Sequence, residues 1–255
     1  MKLTLVAGAI ALATLSLPAL AGEDSKQLLI TPTLRSDSNS GPYVAAYGGV
    51  NWSTDFGNEK TTSSTAGVTT DITPDTIHSD IGGVGGVKVG YNFASYPFNE
   101  SLSLQPAVEG EALYIGSRSS AHLNGGGDDL TLSYNSAAWF ANGLIRFVIV
   151  NTRITPYLGI GIGGEYISTH GDDSSVTGGK ITGFDASTVD FAFQGLAGFD
   201  FAIVPHWSLF TEYKFIDAID TKLKYTNVGA SGTDVTFKPD QFAQQIATVG
   251  LKYNF

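Results

Sequence analysis

The lengths of the connections between candidate strands constrain the fold of this chain more than any other feature. Eight segments alternate apolar and polar side chains with the period of two that β-strands show, and they lie at residues 42–53, 83–94, 102–116, 130–149, 156–168, 189–203, 207–218 and 244–255. The seven connections between them alternate long and short, starting with the long polar stretch 54–81. Membrane β-barrels sort their connections in this way, with short turns on one side and longer loops on the other.

A soluble β-sandwich is the competing fold, and the strand lengths argue against it. Several segments run to ten residues or more, which is enough to cross a bilayer at a tilt. Strands of globular proteins are usually only about 5 or 6 residues long. We therefore predict an all-β fold, an eight-stranded antiparallel up-and-down transmembrane β-barrel with short periplasmic turns and long extracellular loops.

The last segment has an apolar face that ends on an aromatic residue. Val249, Leu251, Tyr253 and Phe255 occupy this face, and the residues between them are polar or small. Successive side chains of a strand point to opposite faces. We predict that this strand closes the barrel with its apolar face toward lipid.

The start of the chain has the three parts of a secretory signal peptide. Lys2 provides the positive charge, residues 3–17 form the apolar core, and Ala19 and Ala21 occupy the small-residue positions of a cleavage site. We predict export and a cut after Ala21, because the apolar run is shorter than the roughly 20 residues of a membrane-spanning helix; an uncleaved helical anchor is the alternative. The predicted domains are the signal peptide 1–21, a periplasmic lead-in 22–41 and the barrel 42–255.

Composition excludes some partners and supports a membrane location. The formal net charge is −10 and the sequence has no cysteine, so we predict no nucleic acid partner, which would call for basic patches, and no disulfide framework. Aromatic residues gather near both ends of the strands, as in the interfacial girdles of membrane barrels. The predicted periplasmic set is Tyr91, Phe93, Tyr96, Phe98, Phe201, Trp207, Tyr253 and Phe255, and the predicted outer set is Trp52, Tyr114, Tyr166, Phe191, Phe215 and Tyr225.

The inward positions of the predicted strands carry nine charged residues. They are Lys88, Glu109, Glu111, Arg146, Glu165, Asp200, Glu212, Lys214 and Lys252. Eight strands enclose a space that side chains can fill, and buried charges must pair to offset their desolvation. We therefore expect these five acids and four bases to form a salt-bridge network that plugs the lumen, with a polar path for ions or small solutes as the open alternative. Gly159, Gly161 and Gly163 are expected to leave local space for water, and Pro106 is expected to require a bulge.

No arrangement of residues points to catalysis or to a cofactor, and we predict neither an enzyme nor a bound metal. His170, with Ser168, Asp172 and Asp173 close in sequence, is the nearest approach to a catalytic group. The stretches 125–129 and 170–173 offer the oxygen ligands that Ca²⁺ prefers, but neither has the spacing of an EF-hand. A solvated acidic loop is the interpretation we adopt for both.

Four segments resemble the strands of a known family. They read V-G-Y-N-F at 89–93, A-F-Q-G-L-A-G-F-D-F at 192–201, W-S-L-F-T-E-Y-K-F at 207–215 and V-G-L-K-Y-N-F at 249–255. Through them, residues 42–255 resemble the eight-stranded outer-membrane β-barrel family of OmpA-like and opacity-type proteins. The resemblance implies the outer membrane of a Gram-negative bacterium, a barrel surrounded by outer-membrane lipid, and recognition of the terminal strand by the barrel-assembly machinery.

Members of such a family differ in their loops, so the resemblance leaves two classes of function open. The first is a structural or surface-interaction protein, in which four extracellular loops meet an extracellular ligand or surface partner above a largely plugged barrel. The second is a porin-like channel for ions or small solutes through the polar lumen.

Overall fold

The structure is a computed structural model that describes residues 40–53, 60–65, 68–72, 77–79, 81–123, 128–173, 181–219, 221–228, 233–238 and 242–255. Every described residue belongs to the compact unit Leu34–Phe255. The predicted signal peptide and nearly all of the predicted lead-in lie outside the described residues, so both stay predictions.

Fourteen strands make up the described part of the chain. They are β1 (Gly41–Ser53), β2 (Lys60–Thr65), β3 (Val68–Ile72), β4 (Ile77–Ser79), β5 (Gly82–Asn92), β6 (Tyr96–Asn99), β7 (Leu102–Leu123), β8 (Asp128–Ile149), β9 (Ile154–Asp173), β10 (Ile181–Val204), β11 (Trp207–Ala218), β12 (Leu223–Val228), β13 (Thr233–Lys238) and β14 (Phe242–Asn254). The described residues include no helix long and apolar enough to cross a membrane.

Eight of these strands close into an antiparallel barrel, and the predicted fold is confirmed. The order around the barrel is β1, β5, β7, β8, β9, β10, β11 and β14. β1 pairs with both β5 and β14, which joins the first strand to the last. We name the end that carries Gly41 and Phe255 the periplasmic end and the opposite end the outer end.

The register of the ladders fixes the shear of the barrel. Directly paired residues lead from Val249 through β1, β5, β7, β8 and β9 to Val189 on β10. In the other direction they lead from Val249 through β11 to Phe199 on the same strand, ten residues away from Val189. A closed barrel of this kind has strands tilted by roughly 35–45°.

Side chains alternate between lipid and lumen as the sequence predicted. On β5, for example, Val87, Val89 and Tyr91 are exposed on the outside, whereas Lys88 and Asn92 are buried inside. β-branched and aromatic residues at the outward positions suit a strand that is apolar on one face. The alternation explains why the sequence pattern identified the barrel strands.

The predicted bulge at Pro106 is wrong. β7 pairs with β8 through Pro106 and Ile145 without a shift in register. The carbonyl of Pro106 accepts a hydrogen bond from the Phe93 amide at 2.9 Å, so the edge of the proline that lacks an N–H faces β5. The β5–β7 ladder ends next to it, at Asn92 and Ala107. Proline therefore costs one hydrogen bond at the end of a ladder, where a bulge is not needed.

The outer connections contain more β-structure than the sequence analysis assigned to them. β7, β8, β9 and β10 have 22, 22, 20 and 24 residues, and they continue through stretches that we predicted as loops. β4 pairs with the outer part of β7, and β2, β3, β12 and β13 form a second, four-stranded sheet. Polar residues in these stretches hid the strands, because pairing outside the membrane does not require an apolar face.

Candidate functional site

The structure places all nine predicted lumen charges inside the barrel. Each of these residues is at most 7% exposed, and Glu165 and Lys214 are fully buried. They come from seven of the eight barrel strands, and of the two strands at the closing seam only β14 contributes, through Lys252. The charges fall into three groups, a central cluster, a periplasmic cluster and Glu165 near the outer end.

The central cluster joins two lysines to three glutamates. Lys88 Nζ donates to both carboxylate oxygens of Glu212, at 2.8 and 2.9 Å, and forms an ion pair with Glu109 at 3.0 Å. Lys214 Nζ pairs with Glu111 and lies 3.1 Å from Glu212 Oε1. Because β5, β7 and β11 are not all neighbours in the barrel, these contacts span the lumen.

Neutral donors complete the hydrogen bonding of the three carboxylates. Tyr43 donates to Glu109 at 2.8 Å, Tyr47 donates to Glu111, and Tyr157 donates to Glu212 at 2.9 Å. The amides of two further side chains also reach these oxygens: Asn142 donates to Glu109 and Glu111, and Gln194 donates to Glu111. Buried carboxylates are tolerated when several donors satisfy them, and the sequence analysis did not identify these donors.

The periplasmic cluster joins two cations to one carboxylate. Arg146 Nη2 and Lys252 Nζ both donate to Oδ2 of Asp200, the first at 2.5 Å. Arg146 also donates to Asn92, at 2.5 Å. Within the described residues, Arg146 Nε and Asp200 Oδ1 are buried without a hydrogen-bond partner. A charged atom in this condition indicates an ordered water or ion as its partner.

A small cavity lies between the two clusters. Tyr43, Lys88, Glu109, Arg146 and Asp200 line it together with five other residues, and the space open to the centre of a water molecule measures about 20 Å³. This volume suits one water molecule. The cavity therefore interrupts the packing of the lumen between the two clusters.

Glu165 stands apart from the two clusters. Gln244 Nε2 donates to it at 2.6 Å, and the hydroxyl of Ser136 donates to the same oxygen. The part of the predicted salt-bridge network that involves Glu165 stays a prediction.

A layer of apolar side chains lies in the outer half of the lumen, beside buried polar residues such as Glu165 and Gln244, and the sequence analysis missed it. Leu113 and Ile115 follow Glu111 on β7, Ile216 follows Lys214 on β11, and Ile246 occupies an inward position of β14. All four belong to one cluster of buried apolar side chains. The period of two could have identified them. All four occupy inward positions when the alternation is continued along each strand from the inward charges toward the outer end.

The glycines of β9 leave no space for water, contrary to expectation. A Cβ atom added at Gly159 would overlap Leu144, and one added at Gly161 would overlap Asn142. These two side chains belong to the paired positions of β8 and cover the glycines on the lumen side. Gly163 lies against the backbone of Trp139, so the small residues permit close packing of β8 on β9.

The apolar face of the terminal strand points outward at the periplasmic end. Val249, Leu251 and Phe255 are exposed, and Tyr253 packs edge-on against Trp207 and Phe255, with ring centroids 5.0 Å apart in both pairs. Most of the other predicted girdle aromatics also lie on the outer surface of the barrel. The side chain of Tyr225 is not described. This surface is apolar where a membrane barrel meets lipid.

The outer histidine most relevant to catalysis has an acidic partner. His170 Nδ1 lies 2.6 Å from Asp185 Oδ1, and both side chains are exposed. The side chains of Asp172 and Asp173, and those of 125–129, lie outside the description, so a cation at either stretch stays a hypothesis. Among the described residues no group of three or more acidic or histidine side chains is arranged to hold a metal ion.

Comparisons with known proteins agree with the geometry. The family model described as "Outer membrane protein beta-barrel domain" matches residues 7–255. A major outer membrane protein from Thermus thermophilus is 10% identical over 84% of this chain and 100% of its own, with a TM-score of 0.51. Neisserial surface protein A is 15% identical over 85% and 98% of the two chains, with a TM-score of 0.38. The outer membrane protease OmpT from Escherichia coli is 9% identical over 86% and 98%, with a TM-score of 0.30. The similarity to the Thermus protein shows a shared fold, and no curated protein matches the chain.

Proposed function

Because the chain belongs to the outer-membrane β-barrel family, and is therefore a protein of the bacterial outer membrane, we propose that it acts as a closed barrel that presents interaction surfaces outside the cell. In this role the barrel is a rigid support, and the connections at its outer end meet an extracellular ligand or a surface partner. Two parts of the molecule support this role, the filled lumen and the extended outer strands.

The apolar layer is the observation that carries the proposal. Leu113, Ile115, Ile216 and Ile246 belong to one cluster of buried apolar side chains in the outer half of the lumen, and the polar side chains beside them, Ser136 and Gln244, donate to Glu165. An ion that entered there would meet apolar surface and lose part of its hydration. Below them, the central cluster joins opposite walls through direct ion pairs. A barrel that is filled in both halves supports a structural role better than a conducting one.

The long outer strands supply the surface for such a role. β7 to β10 each have at least 20 residues, whereas about 9–11 residues suffice to cross the hydrocarbon core. Their hairpins therefore extend beyond the membrane, and the second sheet adds further structure from two other connections. A paired hairpin presents side chains in a fixed geometry, which lowers the entropic cost of binding a partner.

A porin-like channel is the second candidate, and the periplasmic cluster is the observation in its favour. Arg146 Nε and Asp200 Oδ1 are buried without partners in the described residues, next to a cavity of about 20 Å³. Water in this half of the lumen would be the first part of a polar path. The path would then have to pass the central cluster and the apolar layer.

The remaining parts of the proposal concern assembly and chemistry. The outward residues of β14, including Leu251 and Phe255, are the segment that the barrel-assembly machinery would recognise, and the protein would be exported with its signal peptide cut after Ala21. We assign no catalytic group, because a contact between one exposed histidine and one exposed acid, His170 and Asp185, does not by itself define a reaction.

Conductance in a planar lipid bilayer tests the closed barrel against the channel. We expect the refolded wild-type protein to insert and show no steady openings. Replacing Ile216 and Ile246 together with serine removes the apolar layer and should produce small openings. Ile162→Ser, on the lipid-facing side of β9, is the matched control and should not. Steady wild-type openings that disappear in Arg146→Gln would overturn the closed barrel and favour the channel.

The outer surface needs its own test. Cells that produce the full chain and cells that produce a chain with the β7–β8 and β9–β10 hairpins shortened should differ in adherence to coated surfaces. Equal adherence at equal surface amounts would count against the interaction role.

A further inference from the structure

A polar group faces lipid on the seam where the first and last strands meet. Gln245 lies at an outward position of β14, directly paired with Trp52 on β1 and with Phe215 on β11. Its Oε1 accepts a hydrogen bond from the hydroxyl of Tyr213 at 2.9 Å. Tyr213 is 43% exposed, and its ring lies 6.4 Å from that of Trp52. The three side chains form one cluster on the outer surface of the barrel.

The bond from tyrosine fixes the orientation of the amide. A tyrosine hydroxyl that donates to the amide must meet its oxygen, so the nitrogen of Gln245 points away from Tyr213. That nitrogen has two N–H groups, and no acceptor for them is found within the described part of the chain; the same holds for the indole N–H of Trp52. Donors that face hydrocarbon without acceptors are costly, so these groups require partners from outside the chain.

The register gives the depth of the amide in the membrane. Gln245 lies eight residues toward the outer end from Tyr253, which belongs to the periplasmic aromatic cluster. With a rise of about 3.3 Å per residue and a tilt of about 40°, the amide lies roughly 20 Å above that cluster. The apolar band of such barrels is about 25 Å tall. Gln245 therefore lies at the outer edge of the hydrocarbon core, where the carbonyl groups of acyl chains are found.

The same arrangement recurs elsewhere on the outer rim. Tyr114 donates its hydroxyl to Oδ1 of Asn135 at 3.0 Å, and both side chains are exposed. Here too an outward tyrosine on one strand fixes an outward amide on the next, so that the amide nitrogen is left to face the membrane surface. Two such pairs on different walls point to a shared purpose, which is donation to acceptors in the outer leaflet.

We infer that Trp52, Tyr213 and Gln245 form a lipid-binding site whose ligand is an acyl carbonyl oxygen of the outer leaflet. The Gln245 amide and the Trp52 indole donate hydrogen bonds to this oxygen, and the Tyr213 hydroxyl positions the amide. The aromatic rings favour this depth by themselves, but the amide adds a directed contact. The site lies beside the β1–β14 ladder, so a bound lipid would also stabilise the seam. The inference does not depend on the role of the lumen or the outer hairpins.

A double comparison of side chain and lipid tests the site. The stability of wild type and Gln245→Leu is measured by urea unfolding in vesicles of ester-linked phosphatidylcholine and of its ether-linked analogue, which has no acyl carbonyl. We expect the ratio of the two unfolding constants to be about fivefold larger in ester lipid than in ether lipid, as one net hydrogen bond would give. Ile162→Leu, at a lipid-facing position of β9, is the control and should show no such difference.

Further variants and lipid mixtures identify which lipid supplies the carbonyl group and whether Tyr213 orients the amide. Tyr213→Phe should retain only part of the dependence on ester lipid, because the amide is then free to turn. If the dependence appears only after lipopolysaccharide is added to ether vesicles, the carbonyl belongs to the acyl chains of lipid A. If Gln245→Leu does not refold, Gln245→Met takes its place. An equal ratio in ester, ether and lipopolysaccharide-containing vesicles would overturn the site.

Discussion

Replacing Lys88 with methionine would remove the cation that has the most carboxylate contacts in the lumen. Lys88 donates to both oxygens of Glu212 and lies 3.0 Å from Glu109. Methionine has a similar length and no charge, so the change removes a cation from Glu109, Glu111 and Glu212 and creates little empty space. Removing one partner of a buried ion pair costs about 3–5 kcal/mol, because the charge left behind stays desolvated.

Because the carboxylates keep other partners, we expect the loss in the free energy of unfolding to lie near the lower end of that range. Glu212 keeps Lys214 at 3.1 Å and Tyr157 at 2.9 Å, and Glu109 keeps Tyr43 and Asn142. We therefore expect Lys88→Met to lower the free energy of unfolding by about 3 kcal/mol. The assay is urea unfolding of the refolded barrel in phospholipid vesicles, followed by tryptophan fluorescence.

A second variant separates charge from packing. Lys88→Met combined with Glu212→Gln restores the balance of charge in the central cluster, so the double variant should be more stable than the sum of the single effects predicts, by about 1–3 kcal/mol. Asp185→Asn is the exposed control and should cost less than about 1 kcal/mol. The reasoning would be refuted by a Lys88→Met variant as stable as wild type, or by strictly additive effects of the two lumen substitutions.

Three further predictions test packing, hydrogen bonding and assembly. Gly163→Ala should destabilise the barrel by about 1–3 kcal/mol because its Cβ would overlap the backbone of Trp139, whereas Gly143→Ala, which meets open space, should change stability by no more than about 0.5 kcal/mol; urea unfolding of both variants measures the contrast. Tyr157→Phe should cost about 1–3 kcal/mol in the same assay, since the hydroxyl donates to a buried carboxylate, and an unchanged midpoint would contradict this role. Phe255→Ala should lower the amount of folded barrel in the outer membrane of cells while leaving refolding in vesicles nearly unchanged, as seen by heat-modifiable migration on gels, and equal loss in both settings would argue against recognition of the terminal strand.

The period of two allowed much of the barrel to be predicted from the sequence. It identified eight strands and placed residues such as Lys88 and Glu212 inside and Val89 and Leu251 outside, because a membrane forces each face of a strand to keep one character. The same argument fails where the membrane ends. The outer parts of β7 and β9, residues 117–123 and 169–173, are mostly polar on both faces, so the pattern that marks a strand is absent there.

The sequence did not allow the partners of each lumen charge to be predicted, and the reason is different. Alternation tells which residues point inward but not which strands lie opposite each other, and that Lys88 meets Glu212 follows from closure and register. The hydrogen bonds that Glu165 accepts from Ser136 and Gln244 could not be predicted from the alternation for the same reason. The space above Gly161 was misjudged because it depends on Asn142 of the neighbouring strand.

The shear of ten residues has a consequence for how the gene of this protein can change. A deletion of one codon within a membrane-crossing strand would turn every later side chain of that strand to the opposite face. A deletion of two codons would leave each side chain on its original face but would shift the register at which the barrel closes by two residues. Lys252 and its neighbours on β14 would then no longer meet their present partners. Changes in length are therefore tolerated beyond the outer ends of the strands, and lineages of such proteins should diverge by insertions there while the crossing segments change by substitution alone.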